Sequence, residues 1–387
     1  MSKSYKYIVF GSPYIGREEI TEMVKTLKSG WIGTGPKVAK FEQAISQYVG
    51  SKFALALNSC TAGLHLSLLV CGVGRGDEVI TTPLTFCATV NTIIHSGAKP
   101  VFIDVDKKTM NIDVNQIEKA ITRRTKAIMP VHLAGRPCEM DAIMKIAKKH
   151  KLFVIEDAAQ ALGSEYKSKK IGGIADLTCF SFYVTKNIIT GEGGMVTTEN
   201  KEFADKIKIY ALHGMSKDAW KRYSDDGYKH YEVIYPGFKY NMTDMQASLG
   251  IHQLKRIDSF DKTRQKIWDL YNAGFKDLPV GLPAPFSKEI HHNKHLYTLL
   301  IDKNKSGIGR DEFMQELHRR GIGTGVHFIP LHLHKYYRER FGYKVGDYPN
   351  AEYIGDRTVS LPISAKLTKS DVDRIIEAVR EVILKNK

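Results

Sequence analysis

The sequence lacks long hydrophobic runs. Nowhere in its 387 residues does a window approach the roughly 18 to 20 apolar residues that a membrane-spanning helix requires. The N-terminal stretch MSKSYKYIVFGSPYIG likewise has no long apolar segment. We therefore expect a cytoplasmic protein with no membrane partner.

Cysteine is scarce, with five residues in the whole chain. They stand at positions 60, 71, 87, 138 and 179, and no two of them form a CxxC pair. An odd number of widely spaced cysteines suits neither a disulfide framework nor a zinc ribbon. The sequence therefore predicts reduced thiols and no metal site.

Acidic side chains are few relative to basic ones, 42 against 57, which gives a net charge of +15. Such a balance invites a nucleic-acid partner, but the chain has no RNP-like aromatic motif and no zinc-finger spacing. Its lysines fall in short patches, for example at 145–151 and 167–170. We expect solvated helix faces, or else a diffuse attraction for an anionic small substrate, and no nucleic acid.

From residue 53 onward, short β-rich runs alternate with longer helical patterns. The β-rich runs are found at 53–57, 78–83, 100–105, 127–133 and 152–156. Parallel strands need crossover connections, which are usually helices, so this alternation predicts an α/β fold with a mostly parallel sheet and helices on both faces. Such sheets bind ligands at the carboxyl ends of their strands.

After about residue 240 the rhythm of the sequence changes. The predicted elements are a long helix at 243–275, a strand at 295–302, a helix at 310–321, a strand at 324–328 and a closing helix from about residue 370. We interpret residues 1–245 as a large α/β domain and residues 246–387 as a smaller α+β domain.

Chemically useful residues stand at three predicted strand exits. Ser59, Cys60 and Thr61 begin a helix, where free N–H groups and hydroxyls suit a phosphate, although such residues are usually plain helix caps. Asp157 ends an apolar strand and needs a cationic partner, unless it caps a following helix. Lys186 follows another apolar strand, where it is either a surface charge or an amine with a lowered pKa.

Taken together, these three features match the needs of one cofactor, pyridoxal phosphate. Its phosphate needs hydrogen-bond donors, its ring nitrogen needs an aspartate and its aldehyde needs a lysine. Lys186 is thus the predicted catalytic residue. The glycines that follow it, Gly191, Gly193 and Gly194, are interpreted as a flexible turn into the next strand.

The sequence resembles the DegT/DnrJ/EryC1/StrS family of sugar aminotransferases, which are pyridoxal-phosphate enzymes of fold type I. The resemblance runs from residue 29 to the final helix, and it is carried by the strings NSCTAGLHLSL, TTPLTFCATVNTI, VIEDAAQALGSEYKSKKIGG, SFYVTKNIITGEGGMVTT and FKYNMTDMQASLG. It implies an aspartate aminotransferase-like fold and an enzyme that takes its amino group from glutamate. It also implies a homodimer with shared active sites.

The resemblance assigns roles to individual positions. Lys186 matches the lysine that bonds to the cofactor aldehyde, Asp157 the partner of the ring nitrogen, and Gln160 the residue beside the ring hydroxyl. The other matches are Cys60 (through its backbone amide), Thr61 and Ser181 at the phosphate, Phe86 on the ring face, and Asn241 at the phosphate of the neighbouring subunit. Phe86 also admits a simpler explanation as a core side chain.

For the substrate, the resemblance favours a nucleotide-linked 4-keto sugar. The strings SGWIGTGPK, RRGIGTGVHF and KYYRERF are similar to members that aminate UDP-4-keto-pentoses, and members of the pseudaminic acid pathway are also similar. Trp31, Thr34 and His327 are the candidate substrate contacts. Gln160 replaces a histidine of the UDP-4-keto-pentose enzymes, which leaves other keto sugars open, including keto sugar acids. A dehydratase, in which a histidine replaces the lysine, and a non-catalytic regulatory homologue are the remaining alternatives.

Overall fold

The computed structural model describes residues 6–216 and 231–386. The helices of the described part are α1 (Arg17–Ser29), α2 (Pro36–Val49), α3 (Cys60–Val70), α4 (Cys87–His95), α5 (Val114–Ala120), α6 (Met140–His150), α7 (Lys201–Ala211), α8 (Asp244–Lys255), α9 (Ile257–Phe275), α10 (Lys303–Ser306), α11 (Arg310–Arg319), α12 (Lys335–Phe341), α13 (Pro349–Arg357) and α14 (Lys369–Asn386). Among the described residues, no helix combines the length and the apolar character that crossing a membrane would require.

The strands of the described part are β1 (Phe53–Leu57), β2 (Glu78–Thr81), β3 (Lys99–Phe102), β4 (Thr125–Ile128), β5 (Phe153–Asp157), β6 (Glu165–Tyr166), β7 (Lys169–Lys170), β8 (Leu177–Ser181), β9 (Gly194–Thr198), β10 (Ile290–His291), β11 (Tyr297–Leu300) and β12 (Thr358–Leu361). Seven of them form the central sheet, in the order β1-β9-β8-β5-β4-β2-β3. The pairs from β8 across to β3 are parallel, whereas β9 is antiparallel to both β1 and β8. The predicted α/β fold with a mostly parallel sheet is therefore confirmed.

Helices cover both faces of the central sheet, as apolar strands buried on two sides require. On one face, α2, α6 and α8 contribute buried side chains such as Phe41, Ile143 and Ile251. On the other face, α3 and α7 contribute Leu66 and Ile207. Because β1, β5 and β8 run in the same direction, their carboxyl ends meet at one edge of the sheet, which is where a ligand of this architecture binds.

The chain after residue 256 builds a separate apolar core. Buried side chains from α9, α11 and α14 pack there against the antiparallel pair of β11 and β12, with Tyr271, Phe313 and Val379 among the fully buried ones. Ile8 joins the same core from the N-terminal segment. The domain boundary between residues 245 and 246 stays a prediction.

Two predicted elements were wrong in detail. The long helix at 243–275 is broken at Arg256, whose non-helical backbone separates α8 from α9 and whose guanidinium pairs with the buried Glu19 of α1. The strand predicted at 324–328 is not formed, since Gly325 makes one isolated bridge to Ser360. The His327 side chain contacts Ser360 instead, through a hydrogen bond of 2.9 Å between its Nδ1 and the Ser360 hydroxyl.

Candidate active site

A cavity of about 400 Å³ lies at the carboxyl ends of β1, β5 and β8. It brings together eight of the residues singled out from the sequence: Cys60, Thr61, Phe86, Asp157, Gln160, Ser181, Lys186 and His327. The first seven come from distant positions in the chain that the strands of the central sheet place at one edge, whereas His327 comes from the C-terminal part of the chain. Trp31, Thr34 and Asn241 do not line this cavity.

Lys186 stands in the turn after β8, where its backbone N–H donates to the Tyr183 carbonyl at 2.9 Å. Its side chain lines the cavity, and its Nζ makes no hydrogen bond to any residue in 6–216 or 231–386. Burial lowers the pKa of this amine, while the Cys60 thiol and the Asp157 carboxylate act in the opposite direction. The structure therefore excludes a freely solvated surface lysine and supplies an amine that loses its proton more readily than usual.

Asp157 is the last residue of β5 and is 5% exposed. Its Oδ2 accepts a hydrogen bond from Thr89 Oγ1 at 2.6 Å, and its Oδ1 accepts one from the Ala159 N–H at 3.1 Å. Burial raises the pKa of the carboxyl, and these two hydrogen bonds partly oppose that effect. Turns rather than a helix follow Asp157, so a helix-capping role does not apply. A protonated ring nitrogen would supply the cationic partner that this buried carboxylate needs.

A buried network behind Asp157 was not anticipated from the sequence. His132 donates its backbone N–H to the Asp157 carbonyl at 3.1 Å, and its Nδ1 accepts the Cys138 N–H at 3.0 Å. Its Nε2–H therefore donates to Glu156 at 3.1 Å, and Thr178 donates to the other carboxylate oxygen of Glu156. These contacts fix the end of β5. Neither these residues nor Thr89 stand in a sequence pattern that marks them.

The start of α3 forms the polar end of the cavity. The Ser59 hydroxyl caps the helix by accepting the Ala62 N–H at 3.1 Å, which confirms the capping interpretation for that residue. Cys60 and Thr61 follow it, and their N–H groups have no partner among the described residues. Because a helix N-terminus with free N–H groups favours an anion, this end suits a phosphate.

Gly194 holds the helix start close to the sheet, which corrects its interpretation as part of a flexible turn. It is the first residue of β9, and a Cβ placed there would lie 2.3 Å from the Ser59 carbonyl carbon and 2.4 Å from the Cys60 nitrogen. A side chain at this position would push α3 away from the sheet. Gly191, by contrast, adopts φ +84° with open space around it, as a turn glycine does.

The walls of the cavity combine an aromatic ring with an amide. Phe86 is 59% exposed, with its ring centroid 6.1 Å from that of Phe328, so it is not a core side chain. Gln160 Oε1 accepts the Ala134 N–H at 2.6 Å, which turns the NH₂ end into the free donor. A flat aromatic ligand that carries a hydroxyl on its ring would match the Phe86 ring and the Gln160 amide.

Besides His132, two further histidines line the cavity. The pKa of His327 falls to about 4 because the ring is buried near the charge of Lys186, so His327 is neutral. His295 was not anticipated; it is also buried, with a strongly lowered pKa, and its Nδ1 donates to Asn187 Oδ1 at 2.9 Å. Both rings can therefore offer hydrogen bonds without adding charge to the site.

The three remaining predicted residues meet one another on a separate surface. Asn241 donates its side-chain N–H to Thr34 Oγ1 at 2.7 Å, and Thr34 in turn donates to the Met242 carbonyl. The Trp31 indole N–H donates to the Thr34 carbonyl at 3.1 Å, and 58% of the Trp31 side chain is exposed. We call Trp31, Thr34 and Asn241 the rim cluster.

Known proteins resemble this chain over nearly its full length. The family model described as the DegT/DnrJ/EryC1/StrS aminotransferase family matches residues 13–380. The spore coat polysaccharide biosynthesis protein SpsC of Bacillus subtilis is 52% identical over 385 residues, which cover 99% of both chains.

Solved structures agree with that match. A Streptococcus pneumoniae protein described as a sugar aminotransferase, solved in its PMP form, superposes with a TM-score of 0.91 at 37% identity and covers 98% of both chains. Helicobacter pylori PseC, an aminotransferase of pseudaminic acid biosynthesis, gives a TM-score of 0.91 at 32% identity and covers 98% of this chain and 100% of that one.

Proposed function

The chain belongs to the DegT/DnrJ/EryC1/StrS aminotransferase family and is a pyridoxal-phosphate-dependent sugar aminotransferase, and we propose that it transfers the amino group of glutamate to a nucleotide-linked 4-keto sugar. The product would serve the synthesis of a cell-surface polysaccharide or lipopolysaccharide. SpsC and PseC, which act in polysaccharide and pseudaminic acid biosynthesis, support that role.

One observation carries the pyridoxal-phosphate chemistry of this proposal: a buried carboxylate and an unpaired lysine amine face the same cavity. Asp157 lacks a cationic partner and Lys186 lacks a hydrogen-bond partner among the described residues. Pyridoxal phosphate fits this donor set, because its ring nitrogen and its aldehyde need these two groups. The free N–H groups at the start of α3 and the exposed ring of Phe86 match the phosphate and the ring face.

Each residue would contribute one function to the reaction. When bound, pyridoxal phosphate supplies a ring that accepts electrons from the substrate carbon. Asp157, held by Thr89 and Ala159, keeps a proton on the ring nitrogen. Gln160 would offer its NH₂ group to the ring hydroxyl, and Phe86 would cover one face of the ring. Cys60, Thr61 and Ser181 would hold the phosphate through the Cys60 amide and the two hydroxyls.

Lys186 moves the proton in both halves of the reaction. Its amine, whose pKa is lowered by burial, accepts the proton that leaves the reacting carbon of glutamate and later delivers one to the carbon of the keto sugar. Neutral His327 stands beside it and would meet the hydroxyls of the sugar. Dehydratases of this kind have a histidine in place of the lysine. The presence of Lys186 therefore favours amino transfer over dehydration.

The rim cluster gives a reason to include a second subunit. Asn241 lies outside the cavity of its own chain, on a surface shared with the exposed Trp31. In a homodimer, Asn241 would reach the cofactor phosphate of the neighbouring subunit, and Trp31 and Thr34 would contact the substrate there. The active site would then depend on dimer formation.

A panel of acceptors tests the proposed function. Purified enzyme with glutamate is mixed with nucleotide-linked 4-keto sugars, with free keto sugars and with keto sugar acids, and amino-sugar formation is followed by mass spectrometry. We expect turnover with at least one nucleotide-linked 4-keto sugar and little with the other classes. Turnover confined to keto sugar acids would overturn the acceptor assignment.

A further inference from the structure

A second, smaller cavity opens beside the cofactor cavity and shares His327 and Leu296 with it. Its volume is about 30 Å³, and its distinctive polar residues are Lys108, Arg136 and His292. We call it the side pocket. A volume of this size holds one or two waters, or a group as compact as a carboxylate, but not a nucleobase.

His292 places an unused donor in the side pocket. The residue is 3% exposed, and its ring packs between Phe286 and Trp268, with centroid distances of 4.5 and 5.2 Å. Nδ1 accepts the Lys294 N–H at 2.7 Å, so the hydrogen of the neutral ring sits on Nε2. Burial lowers the pKa of this imidazole well below its usual value. Within 6–216 and 231–386, Nε2 has no hydrogen-bond partner.

Two cations flank this donor. Arg136 is held in place by hydrogen bonds to the carbonyls of Ala284 and Pro285, both at 3.0 Å, and by the Phe286 ring 5.0 Å away. The Lys108 amine has no partner among the described residues, and it stands at the pocket edge. The Lys108 amine and the guanidinium N–H groups of Arg136 that these two carbonyls do not accept are therefore available to an incoming anion.

Acidic side chains near the side pocket do not occupy it. None of the described residues that line it is acidic. Asp106 and Glu139 are close enough to act on the Arg136 charge. The Asp106 carboxylate, however, accepts the N–H groups of Lys108 and Thr109 at 3.1 and 2.7 Å. The pocket thus combines the neutral His292 donor with two cations.

We propose that the side pocket binds the distal carboxylate of the amino donor, with His292 Nε2 as its hydrogen-bond donor and Arg136 and Lys108 as its counter-charges. This assignment rests on the proposed function, because it takes glutamate as the donor. The side pocket borders the cofactor cavity at His327, whose ring lies near enough to Lys186 to feel its charge. A phosphate of the acceptor nucleotide has related chemistry, but a diphosphate with its sugar needs more room than this volume offers.

Calorimetry of the cofactor-loaded enzyme with glutarate, a dicarboxylate without an amine, tests the site without turnover. His292→Asn keeps a side-chain acceptor for the Lys294 N–H and removes the Nε2 donor, so we expect glutarate affinity to fall about tenfold. Lys108→Met removes an exposed cation and should weaken glutarate binding about threefold. Unchanged affinity in both variants would overturn the proposal.

Lys107→Met provides the matched control for the charge. Lys107 is adjacent to Lys108, but its amine lies over the Tyr353 ring, 3.6 Å from the centroid. The substitution changes the net charge by the same amount as Lys108→Met. If Lys107→Met weakened glutarate binding as much as Lys108→Met does, a diffuse field rather than the side pocket would be responsible.

Half-reactions separate the donor from the acceptor. Conversion of the cofactor from its aldehyde to its amine form is followed by absorbance, with glutamate and with alanine, which lacks a distal carboxylate. We expect His292→Asn to slow the glutamate reaction and to leave the alanine reaction unchanged. Weakened binding of UDP with unchanged glutarate binding would assign the pocket to a phosphate and refute the donor assignment. If glutamate reacts normally but no keto sugar is aminated, the proposed function fails while the side-pocket result still stands.

Discussion

The floor of the cavity, formed by Asp157 and Lys186, and the rim cluster are built in opposite ways. Asp157 ends β5 and Lys186 lies in the turn after β8, and because these parallel strands end at one sheet edge, the topology itself brings the two residues together. Trp31, Thr34 and Asn241 belong to loops, and Asn241 and Thr34 are 207 residues apart in the chain. Both floor residues therefore line the cavity of their own chain, whereas the rim cluster lies outside it.

The two regions also differ in electrostatics. On the floor, burial raises the pKa of Asp157 and lowers that of Lys186. The charged forms of both side chains are therefore poorly solvated until a ligand provides partners. In the rim cluster, Trp31 is exposed, and the contacts are hydrogen bonds between neutral groups. Substitutions on the floor should therefore affect chemistry most, and substitutions in the rim cluster should affect retention of the cofactor.

The largest expected effect comes from Lys186→Ala. Removal of the amine deletes the proton carrier, so we expect turnover to fall by at least about 10⁴-fold while the fold remains intact. Turnover is measured with glutamate and the best acceptor, and the fold is checked by circular dichroism. Lys145→Ala, at an exposed position of α6, serves as the control. Activity like that of the wild type in the Lys186→Ala enzyme would refute the lysine assignment.

Gly194→Ala should destabilise the protein through packing alone, at the contact between β9 and the start of α3. The added Cβ would meet the backbone of Ser59 and Cys60 at 2.3–2.4 Å, and this backbone cannot move without displacing α3 from the sheet. We expect the free energy of unfolding to fall by about 3 kcal/mol in a urea titration. Gly309→Ala, where a Cβ meets nothing within 4 Å, should change it little. Equal stability of the two variants would show that α3 tolerates displacement.

The sequence predicted the floor better than its supports. The alternation of strands and helices was enough to place Asp157 and Lys186 at strand exits, because parallel strands share a direction. Thr89, Glu156 and His132 escaped prediction, since a buried hydrogen bond between side chains leaves no periodic signal in the chain. The strand predicted at 324–328 is not formed, because only one isolated bridge, between Gly325 and Ser360, takes the place of continuous strand pairing.

Thr89→Val probes one of those hidden supports. The Thr89 hydroxyl donates to the charged form of Asp157 and so holds its pKa down against burial. Without it the pKa of Asp157 rises further, and the carboxylate is lost at a higher pH as acidity increases. We expect turnover at neutral pH to fall about tenfold, and the acid side of the pH profile to move to higher pH.

Thr92→Val is the matched control for that change. Thr92 lies in the same helix, and its hydroxyl donates to the Thr89 carbonyl at 3.0 Å rather than to Asp157. Its pH profile should keep the wild-type shape. If both variants moved the acid side equally, a general disturbance of α4 would explain the effect better than the hydrogen bond.

Asn241→Ala tests the rim cluster and has the smallest expected effect. Loss of the amide should weaken cofactor binding about fivefold, measured by fluorescence titration of the apoenzyme. Asn115→Ala, at an exposed position of α5, should leave cofactor binding unchanged. An active monomer with normal cofactor affinity would contradict the shared site.

Mixed dimers decide whether Asn241 acts across the interface. When Lys186→Ala chains pair with Asn241→Ala chains, a site that takes its lysine from one chain and its asparagine from the other is intact once per dimer. Such hybrids should bind one cofactor with wild-type affinity and recover about half of the wild-type activity. If Asn241 served its own chain, the single lysine-bearing site would keep the weakened affinity of the Asn241→Ala parent. The affinity of that site thus determines whether the rim cluster and the floor belong to the same chain or to two.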